Sequence, residues 1–384
     1  MKLALVTLND SADVAQWSGL NYHIARALER AGATLQRVGP LQSRWTPLMK
    51  LRQRWYDATR QSYHASYDPA AVAAMGAAAR AAIPPDADAV LAVTWQVAGA
   101  IGPLEVPLVS WDDSTFAAMM HYYPDYRRIA TPSVREGAAL GERATRSVTL
   151  ALYASHWAAA SARAAYGMPD ERIAVVPFGA NLDPLPDASR IQAAIAGRST
   201  TVCRLLWVGV DWERKGGAQA VEIAAVLRAE GVPVALTMVG CAPPAGTTLP
   251  PWVRLEGFIS KRTRDGEARL ATLFGEAHFF VMPSRAEAYG LVFAEAAAFG
   301  VPAVGLRTGG VPTIVLDGET GLLDEPAAPA ALIAARMLAL WRDRPAYERM
   351  ARAARRRAEL HLNWDVAGRD ALSRIERVVH DSRR

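Results

Sequence analysis

The chain has 384 residues, about half of them apolar and a fifth charged, with 43 Lys and Arg against 38 Asp and Glu. That length exceeds what one hydrophobic core ordinarily supports, so two domains are expected, and the composition excludes the disordered and fibrous classes. A net charge of +5 fits phosphate-bearing small molecules or an anionic membrane as well as nucleic acid, while Cys203 and Cys241 stand outside any Cys-x-x-Cys or Cys/His array and imply neither a disulfide scaffold nor a metal site.

From Met1 to Leu8 the apolar run is too short for a signal peptide and reaches Asn9 and Asp10 at once, so it reads as a first β-strand. No window approaches the long uncharged stretch of a spanning helix. Short apolar runs then alternate with Ala-rich helical stretches, which predicts an α/β class with parallel sheets and crossover helices. Leu3–Leu8, Ala89–Val93, Pro107–Trp111, Ala151–Ala154 and Ile173–Val176 are expected as strands, and Gly19–Ala31, Ala70–Ala82 and Arg135–Arg146 as helices.

The stretch from Asn181 to Ser199, with Asp183-Pro184-Leu185-Pro186-Asp187, has the composition of a linker. A second series follows: strands Arg204–Val208, Val234–Val239, Val253–Glu256, His278–Met282 and Pro302–Gly305, and helices Gly217–Glu230, Asp265–Glu276 and Gly290–Phe299. The expected organisation is a first Rossmann-like domain at 1–182, a linker at 183–199, a second such domain at 200–362 and a final segment at 363–384. Two doubly wound domains bind ligands beyond the carboxyl ends of their strands, so the expected active site is a cleft between facing domains.

The most informative stretch runs from Pro283 to Glu295, straight after the strand ending at Met282. Glu287 is expected in the strand-end loop, with a helix opening near Gly290 and carrying Glu295 in its second turn. The first amides of that helix, on Gly290, Leu291 and Val292, then face an anion, so a diphosphate is held without a metal. Two flanking carboxylates suit the vicinal hydroxyls of a sugar and a ribose. The bland alternative is a capping glutamate and a solvated one. A second strand end carries Gly209-Val210-Asp211-Trp212-Glu213-Arg214-Lys215-Gly216-Gly217, where Arg214 forks onto phosphate oxygens and Lys215 adds a point charge. Its bland alternative is a solvated basic turn. Ser18-Gly19 before the first helix is a weaker signal of the same kind, and no G-x-G-x-x-G or P-loop pattern is present.

With these residues assembled, the sequence resembles the retaining glycosyltransferases of the GT-B fold, family four. The resemblance rests on Glu287-x7-Glu295, the Gly209 to Gly216 loop, Val176-Pro177-Phe178-Gly179-Ala180-Asn181, Gly309-Gly310-Val311-Pro312 and Asp317-Gly318-Glu319-Thr320-Gly321-Leu322. It implies a sugar donor carried as a nucleotide diphosphate, no further cofactor, and transfer of a hexose-type sugar with retained configuration, the departing phosphate taking the acceptor's proton. It further implies Glu287 at the donor sugar, Glu295 at the ribose, Arg214 and Lys215 at the diphosphate, Gly19 at the diphosphate from the first domain, and a final helix from Trp364 to about Val379 crossing back. Val210 stands where many members carry arginine, Thr313 where many carry glutamate, and Asp112 near where many place a first-domain histidine. The expected site is thus Glu287, Arg214, Lys215 and Asp112 for the chemistry, with Glu295, Gly19, Gly290, Leu291, Val292 and Gly209 for the donor.

Arg44 to Arg60 interleaves Trp45, Leu48, Met49, Trp55 and Tyr56 with cations at helical spacing, which suits an anionic interface or, alternatively, a helix covering its own core. Tyr122–Arg146 reads as an acceptor loop or a long connection, and Arg355–Arg357 as a solvated helix face. No nucleic-acid motif accompanies these basic stretches. The expected partners are a nucleotide sugar and a glycan, lipid-linked or small-molecule acceptor, in the cytoplasm or at the inner face of a membrane. A nucleotide-sugar epimerase and a non-catalytic nucleotide-sugar-binding protein stay open as alternatives.

Overall fold

Ten stretches of the sequence that are apolar on both faces, with two mixed edge runs, build two parallel sheets. The computed structural model describes residues 1–41 and 46–384, and divides into residues 1–177 with 364–384 as one unit and 178–363 as the other. The first unit orders its strands β2-β1-β3-β4-β5-β6, with β1 at Lys2–Val6, β2 at Thr34–Val38, β3 at Ala89–Val93, β4 at Leu108–Asp112, β5 at Leu150–Tyr153 and β6 at Ile173–Val175. The second orders β12-β11-β10-β7-β8-β9, with β7 at Cys203–Gly209, β8 at Val234–Gly240, β9 at Val253–Gly257, β10 at Phe279–Met282, β11 at Ala303–Leu306 and β12 at Gly321–Asp324. Every pairing between these strands is parallel. Central strands such as Ala89-Val-Leu-Ala-Val and Phe279-Phe-Val-Met are buried throughout, as a sheet covered by helices on both faces demands.

The strand order fixes where each sheet turns back on itself. In the second unit the chain runs outward from β7 through β8 to β9 and then returns to the other side of β7 as β10. The carboxyl ends of β7 and β10 therefore flank the switch point, the place where open α/β sheets take ligands. The first unit has its switch between β1 and β3.

The stretch expected as a linker at 183–199 is instead built into the second unit. Asp187 caps a helix, Ala188–Gly197, by accepting from the Arg190 amide at 3.0 Å, and Ile191 and Ile195, one helical turn apart, are buried. Arg198 is buried too, donating to the carbonyls of Gly300 at 2.7 Å and Phe299 at 2.9 Å and to the Tyr347 hydroxyl at 2.8 Å. The division between units falls at Pro177–Phe178, five residues ahead of the expected one. Edge strand β2, the short helix Trp95–Ile101 and strand β12 are further elements beyond the sequence expectation.

Helix Trp364–Ser382 belongs to the first unit and packs along helix Leu20–Ala31. Gly368 makes the close approach: a β-carbon there would lie 2.4 Å from the Ala27 carbonyl oxygen. His23 stacks on Trp364 with ring centroids 5.7 Å apart, and Arg30 Nε meets Asp365 Oδ1 at 2.6 Å. Among the described residues no helix is long and apolar enough to cross a membrane.

Candidate functional site

Two loops meet at the β7/β10 switch point. Strand β7 ends at Gly209, where a β-carbon would crowd the Trp207 ring at 2.9 Å and Lys215 Cγ at 3.1 Å. The loop that follows folds on itself: Asp211 Oδ1 accepts the Arg214 amide at 3.0 Å and Trp207 Nε1 donates to the Lys215 carbonyl at 3.1 Å. Gly216, at φ +70°, then caps helix Gly217–Ala229 in the left-handed region that favours glycine. A β-carbon at Gly216 would fall 2.2 Å from the Pro283 carbonyl oxygen, so this glycine lets the β7 loop lie against the β10 loop. Backbone bonds complete the seam, with Arg285 N donating to Arg214 O at 2.8 Å.

That seam delivers the charges. Glu287, buried in the β10 loop, takes the ammonium of Lys215 on Oε2. Arg214 Nη1 stands 3.7 Å from the same oxygen and donates to the Ala286 carbonyl at 3.1 Å, while its Nε bonds Asp211 Oδ2 at 3.1 Å. Gly310 N donates to the Glu287 carbonyl at 3.1 Å, so the Gly309-Gly310-Val311-Pro312 turn fixes the glutamate from the other side. The result is a carboxylate held rigid between two cations, suited to accepting hydroxyls rather than to abstracting a proton.

Helix Leu291–Ala298 opens four residues after Glu287, capped by Gly290 at φ +98°. A β-carbon at Gly290 would press on Phe293 Cδ2 at 2.8 Å and Glu287 Cγ at 3.0 Å, so the residue is glycine for both conformation and space. The amides of Leu291 and Val292, as first-turn amides, have no intrahelical acceptor, and the dipole end adds to their pull on an anion. Glu295 lies in the second turn with its side chain 4% exposed, and its carboxylate meets the ammonium of Lys261, 42% exposed, from the loop before helix Arg264–Glu276. Sequence reasoning missed Lys261, since nothing in Ser260-Lys261-Arg262 separates it from a solvated turn until the fold brings it to Glu295.

The unit thus gathers Glu287, Arg214, Lys215, Gly209, Gly290, Leu291, Val292 and Glu295 around one switch point. Gly19 and Asp112 lie in the first unit and are described there. Gly19, at φ +79°, caps helix Leu20–Ala31 and follows Trp17 and Ser18, both also at positive φ. Asp112 ends β4 and is fully enclosed: Oδ1 accepts the Trp95 amide at 3.0 Å and Oδ2 has no hydrogen-bond partner among the described residues. Burial, with Asp113 beside it, pushes its carboxyl well above the usual carboxylate range. Thr94, just before Trp95, has a buried hydroxyl with no hydrogen-bond partner among the described residues and φ +98°, a conformation costly for a β-branched residue.

Residues 203–343, inside the second unit, match the family model described as glycosyl transferases group 1. The match covers strands β7 to β12 and both loops of the switch point, so the second unit is similar to group 1 glycosyltransferases over that segment. Among curated relatives, a D-inositol 3-phosphate glycosyltransferase of Streptomyces avermitilis is 46% identical over 103 residues, 27% of this chain and 22% of that protein. One of Streptomyces scabiei is 32% identical over 233 residues, 57% of this chain and 52% of that protein. The chain therefore spans about half or less of the length of these relatives. Solved structures match over both units: a sucrose-phosphate synthase from Thermosynechococcus elongatus at TM-score 0.71 and 18% identity, covering 99% of each chain, and Anabaena HepE, in complex with UDP and glucose, at 0.62 and 17%, covering 98% of this chain and 100% of that one. At those identities the likeness shows the fold, which is GT-B.

Proposed function

We propose that this GT-B protein is a retaining glycosyltransferase moving a hexose-type sugar from a nucleotide-diphosphate sugar to a hydroxyl-bearing acceptor. The observation that carries the reading is the convergence of Lys215, Arg214 and Glu287 beside the Gly290-capped helix that bears Glu295. In this reading the diphosphate lies against the Leu291 and Val292 amides, neutralised by Lys215 and Arg214. Glu287 accepts hydroxyls of the sugar and Glu295 those of the ribose. As the bond from the anomeric carbon to the phosphate oxygen breaks, the acceptor oxygen bonds that carbon on the same face and its proton passes to the departing phosphate, so no strong base is required. Val210 supplies no charge, which leaves Arg214 as the guanidinium of the loop.

The enclosure of Asp112 supports a positioning role, holding the Trp95 amide and the strained Thr94 turn, in place of direct contact with the reacting sugar. The relatives are named for D-inositol 3-phosphate and HepE was solved with UDP-glucose, so inositol phosphates and UDP-glucose are the first acceptor and donor to try. The expected setting is the cytoplasm or the inner membrane face. The test is proton NMR of the product of a donor and acceptor panel. An α-configured product from an α-linked donor supports retention, an inverted product overturns it, and conversion of the donor sugar without acceptor supports an epimerase instead.

A further inference from the structure

Helix Pro47–Ala58 in the first unit has two unlike sides. At about 100° per residue, Met49, Gln53 and Tyr56 fall on one side, and these are the residues it turns inward, Met49 buried and the other two half-buried. Leu48, Leu51 and Trp55 fall within about 60° of one another on the other side, and they are 56%, 63% and 60% exposed. Single exposed apolar residues are ordinary, but three large ones in one stripe make a contiguous face that stands open among the described residues. Arg54 borders the stripe on one flank, with Lys50 and Arg60 exposed nearby, while Arg52 on the other flank turns its guanidinium to the Asp68 carboxylate at 3.1 Å. From Thr46 to Arg60 four cations accompany one carboxylate, Asp57, which is engaged by Gln53 Nε2 at 2.7 Å, and with Arg52 matched by Asp68 the segment keeps a cationic excess in Lys50, Arg54 and Arg60. Arg44 and Trp45, read with this segment in the sequence, lie outside the described residues.

The charge decides what covers the face. A second copy would bring the same cationic borders against these, an unfavourable like-charge contact, whereas an anionic bilayer accepts the apolar stripe in its headgroup layer and the flanking cations on its phosphates. We propose that helix Pro47–Ala58 docks the protein, in the plane of the surface, on membranes rich in anionic lipid. This surface is independent of the donor site and stands or falls without it.

Vesicle co-sedimentation of the full chain tests the proposal, using neutral phosphatidylcholine vesicles and vesicles with a third phosphatidylglycerol, at low and at physiological salt. The wild type should sediment with the anionic vesicles, weaken as salt rises and ignore the neutral ones. Leu51→Asp with Trp55→Asp should reduce partitioning at least tenfold, and Arg54→Glu should reduce it and flatten the salt dependence. All three positions are exposed, so circular dichroism and the unfolding midpoint should be unchanged. Wild-type protein that ignores both vesicles, or an aspartate pair that partitions like wild type, overturns the proposal. So does concentration-dependent dimerisation in gel filtration that the aspartate pair abolishes, which assigns the stripe to a second copy.

Discussion

The ammonium of Lys215 and the carboxylate of Glu287 form a largely buried ion pair between two loops that are 72 residues apart in sequence. In the proposed reading each residue serves the donor because the other fixes it, and each is costly to leave alone in so enclosed a place. Lys215→Met should therefore destabilise the second unit by about 1–3 kcal/mol, with Arg214 taking part of the load. Lys215→Met with Glu287→Met should recover most of that loss while remaining unable to bind a nucleoside diphosphate. Urea unfolding with titration calorimetry on the three proteins checks both halves, and a double variant no more stable than the single one contradicts the coupling.

Gly216 provides a steric test of the seam. Gly216→Ala places a β-carbon against the Pro283 carbonyl, backbone on backbone, and should cost at least about 2 kcal/mol and weaken donor binding. Gly231 shares the left-handed conformation at φ +85° but has nothing within 4 Å of its would-be β-carbon, so Gly231→Ala should cost only about 1 kcal/mol. Equal unfolding midpoints for the two variants would remove the seam's special status.

Much of this was legible in the sequence. The class, the strand ends at Val208, one residue short, and at Met282, and the Glu287 loop with its glycine-capped helix all announce themselves, because period, turn residues and strand-end position are local signals. The Lys261–Glu295 pair was not legible, since it joins residues 34 apart through the sheet order. Helix Ala188–Gly197 was misread because its prolines precede the cap and its apolar residues, Ile191 and Ile195, are few. Asp112 was placed at the end of its strand, but no sequence signal tells an enclosed carboxyl from an exposed one.

Lys261 should act on the nucleotide through Glu295. If it positions that carboxylate for ribose, Lys261→Met should bind a nucleoside diphosphate and its 2′-deoxy analogue almost equally, while the wild type separates them on the order of tenfold. Glu295→Gln should lose the same discrimination. Isothermal titration of both analogues reads the ratio, and an unchanged ratio in Lys261→Met assigns the lysine a purely structural part.

His278 gives the second unit an acid limit. Its Nδ1 accepts the Arg204 amide at 3.0 Å and its Nε2–H faces the Ser199 carbonyl at 2.7 Å, an arrangement that needs the neutral ring. Burial, with Arg198, Arg344 and Arg204 nearby, outweighs the Ser199 bond and depresses its pKa to about 4. The folded value lies below the unfolded one, so the unfolded chain binds the extra proton between them. Stability is fully present above about pH 6.5 and falls by up to about 3 kcal/mol as pH drops to 4. Unfolding midpoints from pH 7 to 4 should show that slope, and His278→Asn should flatten it.

The central claim, a nucleoside diphosphate at the β7/β10 switch point, is tested most directly by titrating the purified chain with UDP, GDP and ADP by calorimetry, alongside Lys215→Ala. Binding of at least one at micromolar strength, weakened at least about tenfold by the substitution, is what the geometry predicts. No heat from any of the three, or equal affinity in the variant, would contradict it.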